Sequence, residues 1–353
     1  MAVNRKRLVF FERWFDPVAE QILSAQEDIE LVRLRYADAV EENWGAFSDA
    51  CGYQVSARTE LMPPWFGDGD LLARCPRLLA MSSTGAGYDV IDVAACTSAG
   101  VLVVNQSGTN SEPVAEHAIG LILSLSKRIC LTNRALLRGT ANDRYAMIGN
   151  DIKGKTLGIV GIGQIGRLTS KYANAFDMRV LAYDPYLTAQ QITERGATKV
   201  EFGALLAESD FITVHCPRTA ETLGMFDAAA FARMKPTAYF INTARGMIHQ
   251  EAALLAALQA KQIAGAGIDV FDVEPPPPDH PLLHLDTVVA TPHIAGATFE
   301  ASHNMSKAAA EQWLDLLRGG VPPRLVNPEA WPLYSDRFET IIGYRPDPLG
   351  DAT

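Results

Sequence analysis

Three polar residues, Arg245, Glu274 and His293, each follow a short apolar run and together could bind an acid and move a proton. A guanidinium group has two parallel N–H donors that match a carboxylate, so Arg245 is a candidate carboxylate ligand. Imidazole exchanges protons near neutral pH, which makes His293 a candidate acid and base. A glutamate hydrogen-bonded to it would orient the ring and favour its protonated form, the role expected of Glu274. The alternatives are a surface ion pair, a solvated loop acid and a histidine with a purely structural role.

A glycine-rich turn lies upstream, between an apolar run and a helical pattern, with the sequence Gly161-Ile162-Gly163-Gln164-Ile165-Gly166. In such a turn the first glycine permits a tight bend, the second lets a pyrophosphate approach the backbone, and the third lets the helix pack on the sheet. Phosphate charge then lies at the N-terminus of the helix. The expected dinucleotide contacts here are Gly161, Gly163, Gln164, Ile165 and Gly166.

Asp184 ends the next apolar run, at the place where an acid accepts hydrogen bonds from the ribose hydroxyls of a dinucleotide. A 2'-phosphate would be repelled there, which favours NAD over NADP, although Arg167 could offset this preference. The alternative is that Asp184 caps a turn. Cys216 and Pro217 follow a later strand and are expected to form the wall near the adenine, with Cys216 as a small apolar contact.

The three candidate catalytic residues are expected at one edge of a sheet. In open parallel sheets, ligands bind beyond the carboxyl ends of the strands. His117 lies in a helical pattern and does not follow a core strand as His293 does. The pattern therefore predicts hydride transfer between a dinucleotide and a carboxylate-bearing substrate. The predicted strands before Arg245, Glu274 and His293 are Tyr239–Asn242, Ala266–Val270 and Thr287–Ala290.

Two series of apolar runs and helical patterns must position these residues, which indicates two α/β units with parallel sheets. The first series has strands at Leu8–Phe11, Leu78–Met81 and Val101–Val104 and a helix at Val18–Ala25. The second begins at Lys155 and has six strands, as expected of a doubly wound dinucleotide fold. Its other three strands are Leu157–Val160, Arg179–Tyr183 and Phe211–His215.

The remaining segments are predicted from their helical periodicity and prolines. One helix is expected from Asn110 or Ser111 to Leu137, about 40 Å long, either as a connector and dimer element or as an internal core helix. Another is expected over Ser302–Leu317. Val321–Thr353 contains six prolines and is interpreted as an extended surface arm.

Composition limits the classes of partner and compartment. The chain has 353 residues, a formal net charge of -10 and 48% hydrophobic residues, which predicts two domains and disfavours nucleic acid or a membrane surface as partners. Five scattered cysteines without a CxxC pair suggest neither disulfides nor a metal site. The basic N-terminus is followed by an apolar run too short for a signal peptide, so a cytoplasmic protein is expected.

Several motifs in order make the chain resemble the D-isomer-specific 2-hydroxyacid dehydrogenases over residues 50 to 320. The resemblance implies a Rossmann-type cofactor domain, residues 109–297, inserted into a smaller flavodoxin-like substrate domain formed by residues 1–108 and 298–353. It also implies a homodimer and a small 2-oxo or 2-hydroxy acid of the D series as substrate. The motifs are Gly85–Asp89, Asn110–His117, Gly158–Gly166, Asn242–Gly246, Asp269–Pro275 and Pro292–Gly296.

The resemblance also implies further contacts. Backbone amides at Ala86 and Gly87 would bind the substrate carboxylate, beside Arg245 and His293. Additional cofactor contacts would be Thr109, Thr243, Ala244, Asp269 and Gly296.

Departures from the family pattern limit the choice of substrate. Phosphoglycerate-specific relatives are expected to carry a further arginine near Val55–Thr59, where this chain has only Arg58. Glu274 favours hydroxy-acid chemistry, because formate-type relatives pair the histidine with glutamine. An NAD(H)-sensing, corepressor-like binding protein without turnover is the alternative function, and the complete catalytic set and the acidic composition disfavour it.

Overall fold

The computed structural model describes residues 5–57 and 60–350 of the chain. The first four residues of the basic N-terminus and Arg58 lie outside these ranges. In the described part, no helix is long and apolar enough to cross a membrane.

Strands and helices alternate through most of the chain. The strands of the described ranges are β1 (Lys6–Phe11), β2 (Ile29–Leu34), β3 (Ala50–Val55), β4 (Ala80–Ser83), β5 (Leu102–Val104), β6 (Thr156–Val160), β7 (Arg179–Tyr183), β8 (Thr198–Lys199), β9 (Phe211–Val214), β10 (Tyr239–Asn242), β11 (Gly265–Ile268) and β12 (Val288–Ala290). The α-helices are α1 (Val18–Ser24), α2 (Val40–Phe47), α3 (Gly69–Arg74), α4 (Val93–Ser98), α5 (Ser111–Ser126), α6 (Ile129–Leu137), α7 (Gln164–Ala175), α8 (Ala189–Glu194), α9 (Phe202–Glu208), α10 (Ala228–Ala232), α11 (Glu251–Gln259), α12 (Phe299–Leu317) and α13 (Trp331–Ile342).

The chain forms two compact units. One runs to Asn110 and resumes at Thr298, and the other comprises Ser111–Ala297. The sheet of the first unit has the strand order β2-β1-β3-β4-β5, with parallel pairing throughout. This is the flavodoxin-like order, as predicted. That the first unit binds the substrate stays a prediction.

The second unit has the predicted doubly wound fold. Its parallel sheet has the order β12-β11-β10-β9-β6-β7-β8. The chain moves outward from β6 in one direction to β7 and in the other to β9, so the switch point of the topology lies at the carboxyl end of β6. The glycine turn follows directly at Gly161. A seventh strand, β8, was not predicted, because two residues are too few for a periodic signal.

Two strands of the first unit were also missed. β2 alternates charged and apolar residues and is half-exposed, so it lacks a continuous apolar run. β3 is buried along its whole length, but Gly52 and Gln54 interrupt its apolar pattern. Both are needed there: a Cβ on Gly52 would lie 2.6 Å from the Trp313 ring, and Gln54 accepts a hydrogen bond of 2.8 Å from the Trp313 indole.

The prediction of one continuous helix to Leu137 was wrong. α5 ends at Ser126, and Arg128 adopts a left-handed conformation with φ of 57° before α6 begins. The returning chain contacts the break, because Asn150 N donates to Ser126 O and Ser126 Oγ donates to Asn150 O, each at 2.7 Å. None of the residues of α6 is buried.

The prediction of an extended C-terminal arm was wrong as well. Residues 331–342 form α13, whose Trp331, Tyr334 and Phe338 are buried in the hydrophobic core of the first unit. The prolines misled the prediction: Pro332 lies in the first turn of the helix, where its missing N–H and fixed φ are tolerated. The spacing of three and four residues places the three aromatic side chains on one helix face.

Candidate active site

The three candidate catalytic residues leave three adjacent strands at the same sheet edge. β10, β11 and β12 pair in parallel register, with Asn242 opposite Ile268 and Ile268 opposite Ala290. Arg245, Glu274 and His293 lie in the loops that follow these strands. The sequence prediction of a shared edge therefore agrees with the topology of the second unit.

His293 and Glu274 form a direct pair. His293 Nδ1 donates to Glu274 Oε2 at 2.7 Å, and the two side chains are 32% and 10% exposed. The other carboxylate oxygen accepts from Phe271 N at 3.0 Å. With Nδ1 bound in this way, Nε2 is the ring nitrogen that can exchange a proton with a ligand.

The pKa of Glu274 is lower than its usual value. Burial acts to raise this pKa, but the hydrogen bond from His293, the charge of His293 and the nearby charge of Arg245 outweigh burial. Glu274 is therefore ionised at neutral pH, as the orienting partner of an imidazole must be.

A buried aspartate holds the turn that presents His293. Asp269 is fully buried; its Oδ1 accepts from Ile294 N and its Oδ2 from Ala295 N, both at 2.9 Å. Its carbonyl oxygen accepts from His293 N at 2.8 Å. His293 has a φ of 54°, a left-handed conformation that is uncommon for residues other than glycine, although histidine adopts it more readily than most. The carboxylate of Asp269 therefore fixes the backbone of this turn through two hydrogen bonds. That Asp269 also contacts a cofactor stays a prediction.

A helix contributes to the same turn through His117. Thr291 Oγ1 donates to Asp269 Oδ1 at 2.5 Å, so the hydroxyl oxygen must accept from His117 Nε2, which lies 3.0 Å away. His117 Nε2 is also 3.9 Å from Asp269 Oδ1. The sequence pattern does not predict this contact of His117, because 174 positions separate it from Thr291.

The loop that carries Arg245 is organised by Asn242 at the end of β10. Asn242 Oδ1 accepts from Ala244 N at 2.9 Å, and its Nδ2 donates to Arg245 O at 3.0 Å. Gly246 is required next, since an added Cβ would lie 2.1 Å from the carbonyl oxygen of Phe271. Arg245 itself is half-buried and donates from Nη1 to Ala244 O at 2.7 Å.

Close packing explains two of the three glycines of the turn, and open space lies at the third. Gly161 has a φ of 85°, and a Cβ there would lie 2.8 Å from Cys216 N. A Cβ on Gly166 would lie 2.3 Å from Gly161 O, so the helix and turn approach closely. Gly163, by contrast, faces open space, and α7 begins at Gln164 without a side-chain cap. The first amides of α7, including that of Ile165, are thus suited to bind phosphate oxygens.

Asp184 is held beside this turn. Its Oδ2 accepts from Ile162 N and its Oδ1 from Tyr186 N, both at 3.1 Å. Each carboxylate oxygen can accept a second hydrogen bond, so ribose hydroxyls could still bind. Burial raises the pKa of Cys216 to about 12, so its thiol is protonated and is suited to packing rather than to reaction. Pro217 follows it.

The remaining predicted residues are placed as follows. Thr243 is buried, and its hydroxyl has no hydrogen-bond partner among the described residues, which suits a polar ligand group. Gly296 follows Ala295 in the His293 turn. Three residues belong to the first unit: Ala86 O accepts from Asn105 Nδ2 at 2.8 Å, Gly87 O accepts from Ser83 Oγ, and Thr109 Oγ1 donates to Gln106 O at 2.7 Å.

Comparison with known proteins identifies the relatives of the chain. Residues 119–295 match the family model described as D-isomer specific 2-hydroxyacid dehydrogenase, NAD binding domain. A D-3-phosphoglycerate dehydrogenase from Archaeoglobus fulgidus is 41% identical over 252 residues, which are 71% of this chain and 48% of the relative. A glyoxylate reductase from Thermofilum pendens is 39% identical over 268 residues, 74% of this chain and 78% of the relative.

A solved structure shows the same similarity. The D-lactate dehydrogenase from Aquifex aeolicus, complexed with NAD and lactic acid, has a TM-score of 0.79 and 27% sequence identity, and the match covers 90% of this chain and 98% of that one. The chain spans about half the length of the phosphoglycerate dehydrogenase it matches, but most of the glyoxylate reductase.

Proposed function

Because the chain belongs to the D-isomer-specific 2-hydroxyacid dehydrogenase family, we propose that it is an NAD-dependent oxidoreductase that interconverts a small D-2-hydroxy acid and its 2-oxo acid. The observation that carries the proposal is the His293 Nδ1 to Glu274 Oε2 hydrogen bond of 2.7 Å, at the sheet edge that also carries Arg245. This pair is suited to proton transfer, because the ionised carboxylate orients the imidazole and stabilises its protonated form.

The residues divide the reaction between them. When bound, NAD(H) supplies or accepts the hydride. Arg245 binds the carboxylate through two parallel N–H donors and so orients the carbon next to it. In the reducing direction, His293 delivers a proton from Nε2 to the carbonyl oxygen while Glu274 stabilises the imidazolium. In the oxidising direction the neutral imidazole removes the hydroxyl proton.

We infer a substrate without a phosphate group. Arg58 is the one arginine of the segment in which phosphoglycerate-specific relatives are expected to have two, and an acid without a phosphate does not need the second arginine. Glyoxylate and hydroxypyruvate fit this description. We also propose that the protein acts in the cytoplasm. Its five cysteines are free thiols, and a reducing compartment keeps thiols in this form.

Turnover with a panel of acids tests the proposal. NADH oxidation is measured with glyoxylate, hydroxypyruvate, pyruvate and 3-phosphohydroxypyruvate, and each is repeated with NADPH. We expect the first two acids to give the highest kcat/KM with NADH. If folded protein binds NADH but turns over none of them, and instead captures a specific protein partner, the corepressor-like alternative is favoured.

We further propose a homodimer that forms through α6 and the segment after it. Several large apolar side chains are exposed there, and a surface of this kind is typical of an interface. A Leu137→Glu variant should lower the molar mass measured by light scattering from that of a dimer to that of a monomer. Val40→Glu, a substitution at an exposed apolar residue of α2, should leave the mass unchanged. The exposed residues are Ile129 (52%), Leu136 (69%), Leu137 (80%), Tyr145 (85%) and Ile148 (63%).

A further inference from the structure

A second histidine lies close to the Arg245 loop, but inside the protein. His249 is completely buried in the segment that follows this loop, and its Nδ1 is 3.0 Å from Asn242 Nδ2. The backbone on both sides of His249 is anchored: Phe226 N donates to Ile248 O at 3.2 Å, and Gln250 N donates to Phe226 O at 3.1 Å. Backbone hydrogen bonds on both sides of His249 therefore hold its imidazole next to Asn242.

The hydrogen bonds determine which way each group points. Because Ala244 N–H must donate, Asn242 Oδ1 lies on that side and Nδ2 faces His249. An amide nitrogen only donates, so His249 Nδ1 accepts and its proton is on Nε2. Burial lowers the pKa of His249 to about 4, although Glu251 acts in the opposite direction, so the ring is neutral at physiological pH.

Burying the imidazole of His249 destabilises the fold, so the need to fill space does not explain why a histidine is found there. His249 Nε2 is buried and has no hydrogen-bond partner among the described residues. A buried N–H without a partner destabilises a folded protein, and a leucine would fill similar space without this penalty. The benefit of imidazole at this position therefore lies at Nδ1, the atom that contacts Asn242.

We propose that His249 is a positioning residue for substrate binding. Its Nδ1 holds the Asn242 amide, and Asn242 in turn holds the backbone of Ala244 and Arg245, which aims the guanidinium group. The proposal rests on the proposed role of Arg245 as the carboxylate ligand. Arg245 contacts the carboxylate in both the ground state and the transition state, so a misplaced loop weakens binding more than it slows chemistry.

Two variants separate positioning from packing. His249→Leu removes the acceptor, whereas in His249→Asn the side-chain oxygen can take the place of Nδ1. Leu206→Ala, in a buried part of α9, is the matched control for a general loss of stability. Each protein is compared for KM and kcat with glyoxylate, for NADH affinity, and for binding of oxalate to the NADH complex by calorimetry.

We expect His249→Leu to raise the KM for glyoxylate and the Kd for oxalate roughly tenfold, the factor that corresponds to about 1.4 kcal/mol. Its kcat and NADH affinity should stay within about threefold of the wild type, and His249→Asn should recover most of the lost affinity. If His249→Leu matches Leu206→Ala in all of these measurements, the histidine only fills the core and the proposal is wrong.

Failure of the proposed function gives a different result. In that case wild-type protein turns over no 2-oxo acid, but oxalate binding still reports on the loop. Nitrogen-15 spectra of labelled histidine and asparagine give a reading without any ligand: His249 should be protonated on Nε2, and the Asn242 amide signal should move in His249→Leu but much less in His249→Asn. The positioning role would be overturned if the Asn242 amide signal had the same chemical shift in His249→Leu as in the wild type. It would also be overturned if wild-type protein did not bind oxalate.

Discussion

At the scale of single residues, the site depends on a histidine whose backbone is in the left-handed region. His293 has a φ of 54°, and Asn is among the non-glycine residues that adopt this region most readily. A substitution to Asn therefore removes the imidazole with little strain in the turn.

We predict that His293→Asn lowers kcat by about 10²- to 10⁴-fold, the usual contribution of a general acid or base. NADH affinity should change by less than about twofold. Stopped-flow reduction of glyoxylate and a fluorescence titration with NADH measure the two quantities. Residual activity above a tenth of wild type would show that another group supplies the proton.

Glu274→Gln tests the charge behind the imidazole. A neutral amide stabilises imidazolium less, so kcat/KM for glyoxylate reduction should fall by about tenfold, equivalent to about 1.4 kcal/mol of transition-state stabilisation. In the wild type the pKa of Glu274 itself, which burial raises but His293 and Arg245 lower overall, lies below its usual value of 4.5. Glu274 therefore stays ionised to a lower pH than an ordinary glutamate does. Steady-state kinetics of the two proteins at the same pH measure the change, and an unchanged kcat/KM would contradict the pairing.

The lowered pKa of Glu274 also makes the free energy of unfolding depend on pH. A carboxyl group whose pKa is lower in the folded state stabilises the fold above its unfolded pKa, and this contribution is lost as the pH falls through the folded pKa. The difference in free energy of unfolding between wild type and Glu274→Gln should accordingly shrink below the usual carboxyl range. Urea denaturation at a series of acidic pH values measures it.

Asp184 provides a prediction about the cofactor. Its carboxylate should repel a 2'-phosphate, so Asp184→Ser should reduce the preference for NADH over NADPH by about tenfold or more. The ratio of kcat/KM values with the two cofactors is the measurement. A ratio that stays the same would show that this carboxylate does not contact the adenine-side ribose.

At the scale of elements, two strand ends and one helix together hold the His293 turn. Loops after β11 and β12 supply Asp269, Glu274 and His293, whereas α5 supplies His117. Thr291 links the two sets, because its hydroxyl both accepts from the helix and donates to the buried aspartate. The turn thus depends on secondary structure elements that are far apart in the chain.

Thr291→Val is predicted to loosen this turn. It preserves the shape but removes both hydrogen bonds, so the free energy of unfolding should fall by about 1–3 kcal/mol. kcat should fall with it, because His293 would no longer be held in one position. Thr291→Ser keeps the hydroxyl and should restore most of both. Denaturation measures the free energy of unfolding of the two variants, and steady-state kinetics measure their kcat. Equal values for Thr291→Val and Thr291→Ser would contradict the role of the hydroxyl.

At the scale of the whole molecule, the two ends of the chain complete one hydrophobic core. The first unit contains β1 and α13, and the side chains of Phe10 and Phe338 belong to the same buried cluster. Tyr334 OH also donates to Leu316 O at 3.2 Å, which ties α13 to α12. The C-terminal helix is therefore a structural part of the first unit.

We predict that Phe338→Ala lowers the free energy of unfolding by about 3–5 kcal/mol, the usual cost of removing a buried phenyl ring. Leu333→Ala in the same helix is the control: Leu333 is 51% exposed and should change stability by roughly 0.5 kcal/mol. Chemical denaturation of both proteins measures the difference. Similar values would mean that α13 adds little to the core.

The sequence alone determined the fold class, the dinucleotide turn and the three candidate catalytic residues. Its signals were local: Gly161, Gly163 and Gly166 at set spacing, and Arg245 and His293 directly after apolar strands. Such signals are readable because the backbone of a parallel sheet brings all strand ends of one direction to the same edge.

Only the tertiary structure decided what holds these residues in place. The contacts of His117 with Thr291 and of Asp269 with the His293 turn join positions far apart in sequence, and no periodicity encodes them. The sequence did not reveal α13 either, because its prolines masked the helical spacing of Trp331, Tyr334 and Phe338. The break at Arg128 was also missed, and the returning chain contacts it at Asn150. Local spacing specifies which groups are present, but the pairing of buried polar atoms depends on which elements pack together.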